Sequence, residues 1–314
     1  MRTPDLADRA EGCLLGLACG DALGGAVEFT ARDDLVRSFP DGVREITGGG
    51  LHDLERGEIT DDTHMAIAIA RACNAEGIDL DLVVANFLAW YRSGPKDIGN
   101  TTRQALALLE SGVPWTAAAE RLLRESAGGV AGNGTVMRSA PVAIRFRSDR
   151  PRLVQVSIDT ARITHADPRA TWGAVALNQA IVHLLDGGAI IDTPGATVAG
   201  IGDRRVVEAI GRVVALDHDE LRSGGFVLDT LAASFWCLLN RPSAEEAIVT
   251  AVTLGWDADT TGAVTGALAG AAWGAEALPA RWLQVLQVRD EVRELARSLM
   301  AWDAADRERR EWPR

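Results

Sequence analysis

The chain has 314 residues, 47% of them hydrophobic, enough to bury one large core or at most two modest ones. A mean hydropathy of +0.03 with 24% charged residues excludes a disordered or collagen-like chain. The formal net charge of -12 argues against a broad basic face for polyanions, although it leaves room for a local basic groove.

In chain order, residues 13–27 have the apolar character of a leader segment. Asp21 interrupts them, Glu11 precedes them, and no small-residue cleavage site follows. Apolar residues recur at three- and four-residue spacing in 80–90, 101–109, 115–123, 154–163, 172–185, 206–216, 226–239 and 283–300. Ala and Leu fill most of these positions, so the spacing predicts helices. Period-two patterning is confined to 43–47 and 190–198, both short. Glycine, serine and proline mark loops at Gly48-Gly49-Gly50, Ser93-Gly94-Pro95, Gly128-Gly129, Gly187-Gly188, Ser223-Gly224-Gly225 and Arg241-Pro242-Ser243. The triple glycine reads as either a flap or a plain loop.

Residues 261–278 are about as long as a membrane span, but they are mostly Gly, Ala and Thr and open on Asp257 and Asp259. Gly262, Gly266, Gly270 and Gly274 recur every four residues and put one bare stripe on a helix face, which in a soluble protein lets another backbone approach closely. Residues 303–314 read as a charge-rich, frayed tail. With no linker and no fixed-period repeat, residues 1–314 read as one compact all-α domain with its core over about 8–300. Cys13, Cys19, Cys73 and Cys237 show no C-x-x-C spacing and read as small buried hydrophobes in a reducing compartment. The expectation is a cytoplasmic protein with no membrane span.

Two acidic clusters stand out. Thr60, Asp61, Asp62 and Thr63 precede the helical run 64–73; Asp257, Asp259, Thr260 and Thr261 precede the small-residue helix. Helix capping accounts for one such residue at each site. Two carboxylates with a hydroxyl, twice, point instead to helix ends converging on a cation. An all-oxygen set suits Mg²⁺ or Mn²⁺, whereas zinc lacks Cys/His ligand spacing here. Unneutralised, such carboxylates repel and hold protons. Two divalent ions would neutralise them and position a water nucleophile. Taken alone, Asp97 reads as a helix cap, Glu28 as a surface carboxylate, Gly132-Asn133-Gly134-Thr135 as a turn opening a helix, and His165 as a favourable charge at a helix C-terminus.

Six segments in order carry a resemblance. They are Gly16 to Gly24 with Val27-Glu28-Phe29; Ile59-Thr60-Asp61-Asp62-Thr63; Asp97-Ile98-Gly99-Asn100-Thr101; Gly132-Asn133-Gly134 with Met137-Arg138; Ala161-Arg162-Ile163-Thr164-His165; and Asp257-Ala258-Asp259-Thr260-Thr261-Gly262. Over about residues 11–286 the chain resembles the ADP-ribosylglycohydrolase family, most closely its dinitrogenase-reductase-activating (DraG-type) ADP-ribosylarginine hydrolases. The resemblance implies an all-α fold and two Mg²⁺ or Mn²⁺ ions held by Thr60, Asp61, Asp62, Asp257, Asp259 and Thr260. It implies catalytic roles for Asp97 and Glu28, leaving open which is the general base. It implies ADP-ribose or arginine contacts from Gly99, Asn100, Thr101, Gly132, Asn133, Gly134, Met137, Arg138 and His165. The implied reaction removes ADP-ribose from modified arginine on a protein substrate and releases ADP-ribose. Other acceptors compatible with the same fold are ADP-ribosylserine, O-acetyl-ADP-ribose and ADP-ribosylated guanine in nucleic acid. A non-catalytic ADP-ribose-binding protein is the reading from another class, disfavoured by the competent residues at all six ligand positions. The acidic balance argues against an extended nucleic-acid surface.

Overall fold

A computed structural model describes residues 4–126, 129 and 131–311; Gly128 of the predicted Gly128-Gly129 loop and residues 312–314 of the predicted tail lie outside the described residues. Its centre is an antiparallel pair of helices, α1 (Leu6–Gly24) and α14 (Ala258–Trp273). Neither has a polar face. Every residue of α14 from Ala258 to Ala272 is buried. What brings the two together is absence of side chain. A Cβ on Gly262 would lie 2.5 Å from the carbonyl oxygen of Gly20, and one on Gly12 would lie 2.5 Å from that of Gly270. Gly16 meets Gly266 midway. The stripe is therefore Gly262, Gly266 and Gly270, matched by Gly12, Gly16 and Gly20 on α1. Gly274 closes the stripe at the C-cap of α14, at φ 84°, and a Cβ on Gly12 would lie 2.6 Å from its carbonyl carbon.

The remaining elements wrap this pair. In order they are α2 (Arg32–Ser38), α3 (Asp61–Ala72), β1 (Cys73–Asn74), β2 (Gly77–Ile78), α4 (Leu80–Arg92), α5 (Asn100–Glu110), α6 (Trp115–Glu125), α7 (Ala140–Arg145), α8 (Arg150–Arg162) and α9 (Pro168–Leu185). They continue as α10 (Thr193–Thr197), α11 (Arg204–Gly211), α12 (Val227–Asn240), α13 (Ala244–Thr253), α15 (Ala280–Val285) and α16 (Arg289–Glu311). Helices α12 and α13 lie against α14, and α16 lies against α1. The only sheet among the described residues is the antiparallel pair β1–β2. Neither short period-two stretch forms a strand, as the all-α reading expects. Residues 190–198 make a 3-10 turn and α10, because Pro194 in the first turn of α10 suits a helix start.

The predicted frayed tail is also corrected. Helix α16 runs unbroken to Glu311 and is tied down by polar contacts. Asp303 is buried and accepts hydrogen bonds from the Ser148 backbone at 2.9 Å and hydroxyl at 2.7 Å. The fully buried Arg145 donates to Asp306 at 2.6 Å. Charges in this segment thus neutralise a buried guanidinium rather than solvate a loose end. All four cysteines are free and buried. Among the described residues no helix is long and apolar enough to cross a membrane.

Candidate active site

The antiparallel α1–α14 pair places the C-terminal end of α1 against the N-terminus of α14, and α3 starts at the same place. Asp21, in the last turn of α1, is fully buried and holds the start of α3. Its carboxylate accepts from the Thr60 backbone and hydroxyl, each at 2.9 Å, from the Thr63 backbone at 3.0 Å, and from the Thr63 hydroxyl. Thr60 and Asp257 occupy the N-cap positions of α3 and α14, yet neither side chain makes a capping bond. Capping therefore does not account for the two clusters.

The carboxylates converge instead. The Thr60 hydroxyl lies 3.2 Å from Asp62 Oδ2, and the Thr260 hydroxyl, from the other helix, lies 3.4 Å from the same atom. Glu28, Asp257 and Asp259 each present an oxygen within 4.8 Å of one another; Glu28, His52 and Asp97 do the same with a ring nitrogen. Asp61 accepts from the Gly99 backbone at 3.1 Å and lies in hydrogen-bonding reach of Asp97. Asn133 orients Asp257 with a bond of 2.9 Å. Burial first, then mutual repulsion, pushes Glu28 up to about 9 and Asp61 to about 7, and raises Asp62 and Asp259 well above the usual carboxylate range. Burial likewise lifts Asp97 to about 6. Among the described residues no Lys or Arg pairs with these acids: the Lys96 amine is taken by Glu58 at 2.7 Å, and Arg103, also on the cavity wall, donates to Ile98 O at 3.4 Å. Asp62 Oδ1 is buried without a partner. An orphaned carboxylate oxygen among crowded acids is what a hard divalent cation satisfies, so the donor set fits such an ion.

Glu28, His52, Asp61, Asp97, Asp257, Asp259 and Thr260 line one side of a cavity of about 610 Å³, whereas Thr60 and Asp62 are not on its wall. Gly99, Asn100, Thr101, Gly132, Asn133, Gly134, Met137 and His165 line the rest. Asp97 does not cap α5: Gly99 holds that position, without a side-chain bond, and Asp97 faces the cavity. The helix-end reading of His165 fails. Its ring is buried and pushed down to about 3, first by desolvation and then by Arg138, so it is neutral. It bonds the Thr164 hydroxyl at 2.7 Å and packs against the glycine turn, where a Cβ on Gly132 or Gly134 would come within 3.1 or 2.9 Å of the ring. Those glycines make room for an imidazole. Arg138 is the one predicted contact residue that does not reach the cavity wall. Its guanidinium is buried over the Phe87 ring and donates to Thr160 O at 3.2 Å and Thr164 Oγ1 at 2.7 Å.

Sequence reasoning missed Asp21 as a positioning residue, although it sits in the quoted first segment. It also missed His52. The turn closed by the Gly49–Leu54 bridge carries His52 to the site, where Nε2 lies 2.8 Å from Glu28 and 3.7 Å from Asp97 while Nδ1 donates to Lys96 O at 3.2 Å. The triple glycine is thus the stem of a turn that delivers a side chain, and no local signal at His52 announces it.

A model of the ADP-ribosylglycohydrolase family matches residues 2–309. The chain is 34% identical to the ADP-ribosylarginine hydrolase Tri1 of Serratia proteamaculans over 93% of its own length and 79% of the relative's. It is 32% identical to the ADP-ribosyl-[dinitrogen reductase] glycohydrolase of Rhodospirillum rubrum, covering 96% of this chain and 97% of that one. A solved structure described as an ADP-ribosylglycohydrolase-related protein complex superposes with a TM-score of 0.80 at 34% identity, covering 95% and 99% of the two chains. With the all-α architecture and the acidic cavity in place, these likenesses identify the chain as a hydrolase belonging to the ADP-ribosylglycohydrolase family.

Proposed function

We propose that the chain removes ADP-ribose from arginine side chains by hydrolysing the N-glycosidic bond, with two divalent cations, Mg²⁺ or Mn²⁺, as cofactors. The observation that carries the reading is the convergence of the α3 and α14 carboxylates on one cavity, with Asp62 Oδ1 left unpartnered. Thr60, Asp61, Asp62, Asp257, Asp259 and Thr260 would hold the ions. Bound there, divalent cations supply charge neutralisation, orientation of ribose hydroxyls and activation of water. The relatives named for hydrolysis at arginine favour that acceptor.

The chain's own groups do the rest. Asp97 faces the cavity as a hydrogen-bonding partner for a leaving guanidine, a charge-assisted contact. Asp97 or Glu28 moves the proton, and His52 touches both, so a proton held at Glu28 Oε2 is one imidazole away from Asp97 Oδ1. The Gly132–Gly134 turn, propped by His165, offers backbone to ADP-ribose. Asn133 fixes Asp257, and Asp21 fixes the start of α3. The substrate is an ADP-ribosylated protein and the product ADP-ribose, in a cytoplasmic setting consistent with four buried free thiols. Turnover of ADP-ribosylarginine, compared with serine, O-acetyl and guanine conjugates, tests the reading. A preference for any other acceptor overturns it, and binding of ADP-ribose without turnover of any conjugate leaves a binding protein.

A further inference from the structure

Two aromatic side chains at the mouth of the cavity have no part in the site described so far. Phe29 and Trp256 are each 54% exposed, and both line the cavity. Both sit at positive φ, 58° and 54°, a left-handed conformation that bulky residues rarely adopt. Such strain persists only where the surroundings over-determine it, and it concentrates at ligand clamps. Here the surroundings are a pair of backbone bonds. Phe29 N donates to Trp256 O at 2.6 Å, and Trp256 N donates to Thr30 O at 2.9 Å. The loop after α1 and the loop before α14 are thereby locked together, and each holds one ring out at the rim.

What flanks the rings gives their chemistry. Glu28 precedes Phe29 and Asp257 follows Trp256, and both carboxylates face the cavity. The Phe29 ring stands 6.3 Å from the His52 ring, which touches Glu28 and Asp97. Elsewhere arginines cover aromatic faces at Phe87, Phe146, Phe226, Trp236 and Trp282; among the described residues no cation of the chain lies over Phe29 or Trp256. An exposed aromatic pair at this rim, with no cation of the described chain over either ring, suits a planar cation from outside: the rings offer negative faces, and Asp97 on the same cavity wall offers a carboxylate acceptor. A purine stacks on an aromatic ring equally well, but it brings no positive charge to Asp97.

We propose that Phe29 and Trp256 form a rim clamp that recognises the guanidinium-bearing side of the substrate, making them specificity-determining residues for arginine conjugates. The proposal rests on the arginine reading above. The positive φ values fit the role, because they pre-set the ring positions before substrate arrives.

The test uses the full chain loaded with Mn²⁺ and three probes: ADP-ribosylagmatine, ADP-ribosylserine and free ADP-ribose. Trp256→Ala and Phe29→Ala should each raise KM for ADP-ribosylagmatine by about three- to thirtyfold, the span of a cation–π contact. The ADP-ribose Kd by calorimetry and KM for ADP-ribosylserine should stay within about twofold. Trp256→Tyr, which keeps a ring, should restore most of the agmatine KM, and unchanged melting curves confirm that the variants fold. A parallel loss of ADP-ribose affinity would overturn the proposal and assign the rings to adenine. Unchanged KM for the agmatine conjugate in both alanine variants would overturn it as well. Failure of the wild-type protein to turn over ADP-ribosylagmatine is a separate result, because it sinks the arginine reading before any variant is compared.

Discussion

Replacing Gly262 by Ala tests whether the glycine seam positions the site. The new Cβ would sit 2.5 Å from Gly20 O and 2.8 Å from a Val252 methyl. Restoring ordinary contact near 3.4 Å requires α1 and α14 to part by about 0.9 Å at this level. Overpacking of this kind costs about 1–3 kcal/mol, and the better helix propensity of Ala offsets about 1 kcal/mol of it. The net loss is on the order of 0–2 kcal/mol, a fall in Tm of up to roughly 3 °C for a chain of this length. The functional consequence is larger. Asp259 and Thr260 lie within one turn of Gly262, and a shift of about 1 Å in a catalytic constellation costs on the order of a hundredfold in rate. Gly12→Ala is the control. Its Cβ meets Gly270 O at the same 2.5 Å, but at the opposite end of the seam, so it should lose similar stability and keep most of its turnover. Calorimetric melts with steady-state turnover of both variants decide the matter. Equal activity in the two, or a Gly262→Ala protein that melts and turns over like wild type, would refute the idea that this seam sets the ligand geometry.

Three further outcomes follow from the structure. Asp97→Asn should lower kcat by roughly 10²–10⁴ with little change in ADP-ribose affinity or metal content. Gly99, not Asp97, caps α5, so lost helix stability cannot explain such a result, while near-wild-type turnover would leave Glu28 as the candidate base. Metal-free protein should become less stable as pH rises from about 4 to about 9. Over that window Glu28, Asp61 and Asp97, all raised above their ordinary values, hold protons in the folded state that the unfolded chain has released. Urea melts in chelator should show the downward slope, and Mn²⁺ should flatten it; a rising slope contradicts the crowded-acid picture. Removing residues 303–314 should destabilise the fold by about 3 kcal/mol or more, because buried Arg145 loses Asp306. An unchanged denaturation midpoint would restore the frayed-tail view.

Much of the architecture is legible in the sequence because long helices carry the 3.6-residue period, and both acidic clusters lie at helix starts where composition alone marks them. The four-residue glycine spacing on α14 signals a close helix partner, and the same spacing at Gly12, Gly16, Gly20 and Gly24 on α1 was there to be matched with it. What does not show is long-range. His52 reaches the site through a turn whose local sequence says only loop. Taken alone, His165 reads as a favourable charge at a helix C-terminus until the fold buries it against Gly132 and Gly134. Arg138 looks like an anion ligand beside a glycine turn, yet Thr160, Thr164 and Phe87, distant in sequence, turn its guanidinium inward. In each case the deciding contact lies tens of residues away, where no local pattern records it.

The central claim is that crowded carboxylates from α3 and α14 hold divalent cations that ADP-ribosylarginine hydrolysis requires. Its most direct test is turnover of ADP-ribosylarginine after EDTA treatment and again after adding back Mn²⁺ or Mg²⁺. Activity should be abolished by the chelator and restored by either ion, and Asp62→Ala should remain inactive under both conditions. Full turnover in the chelated wild-type protein would contradict the account.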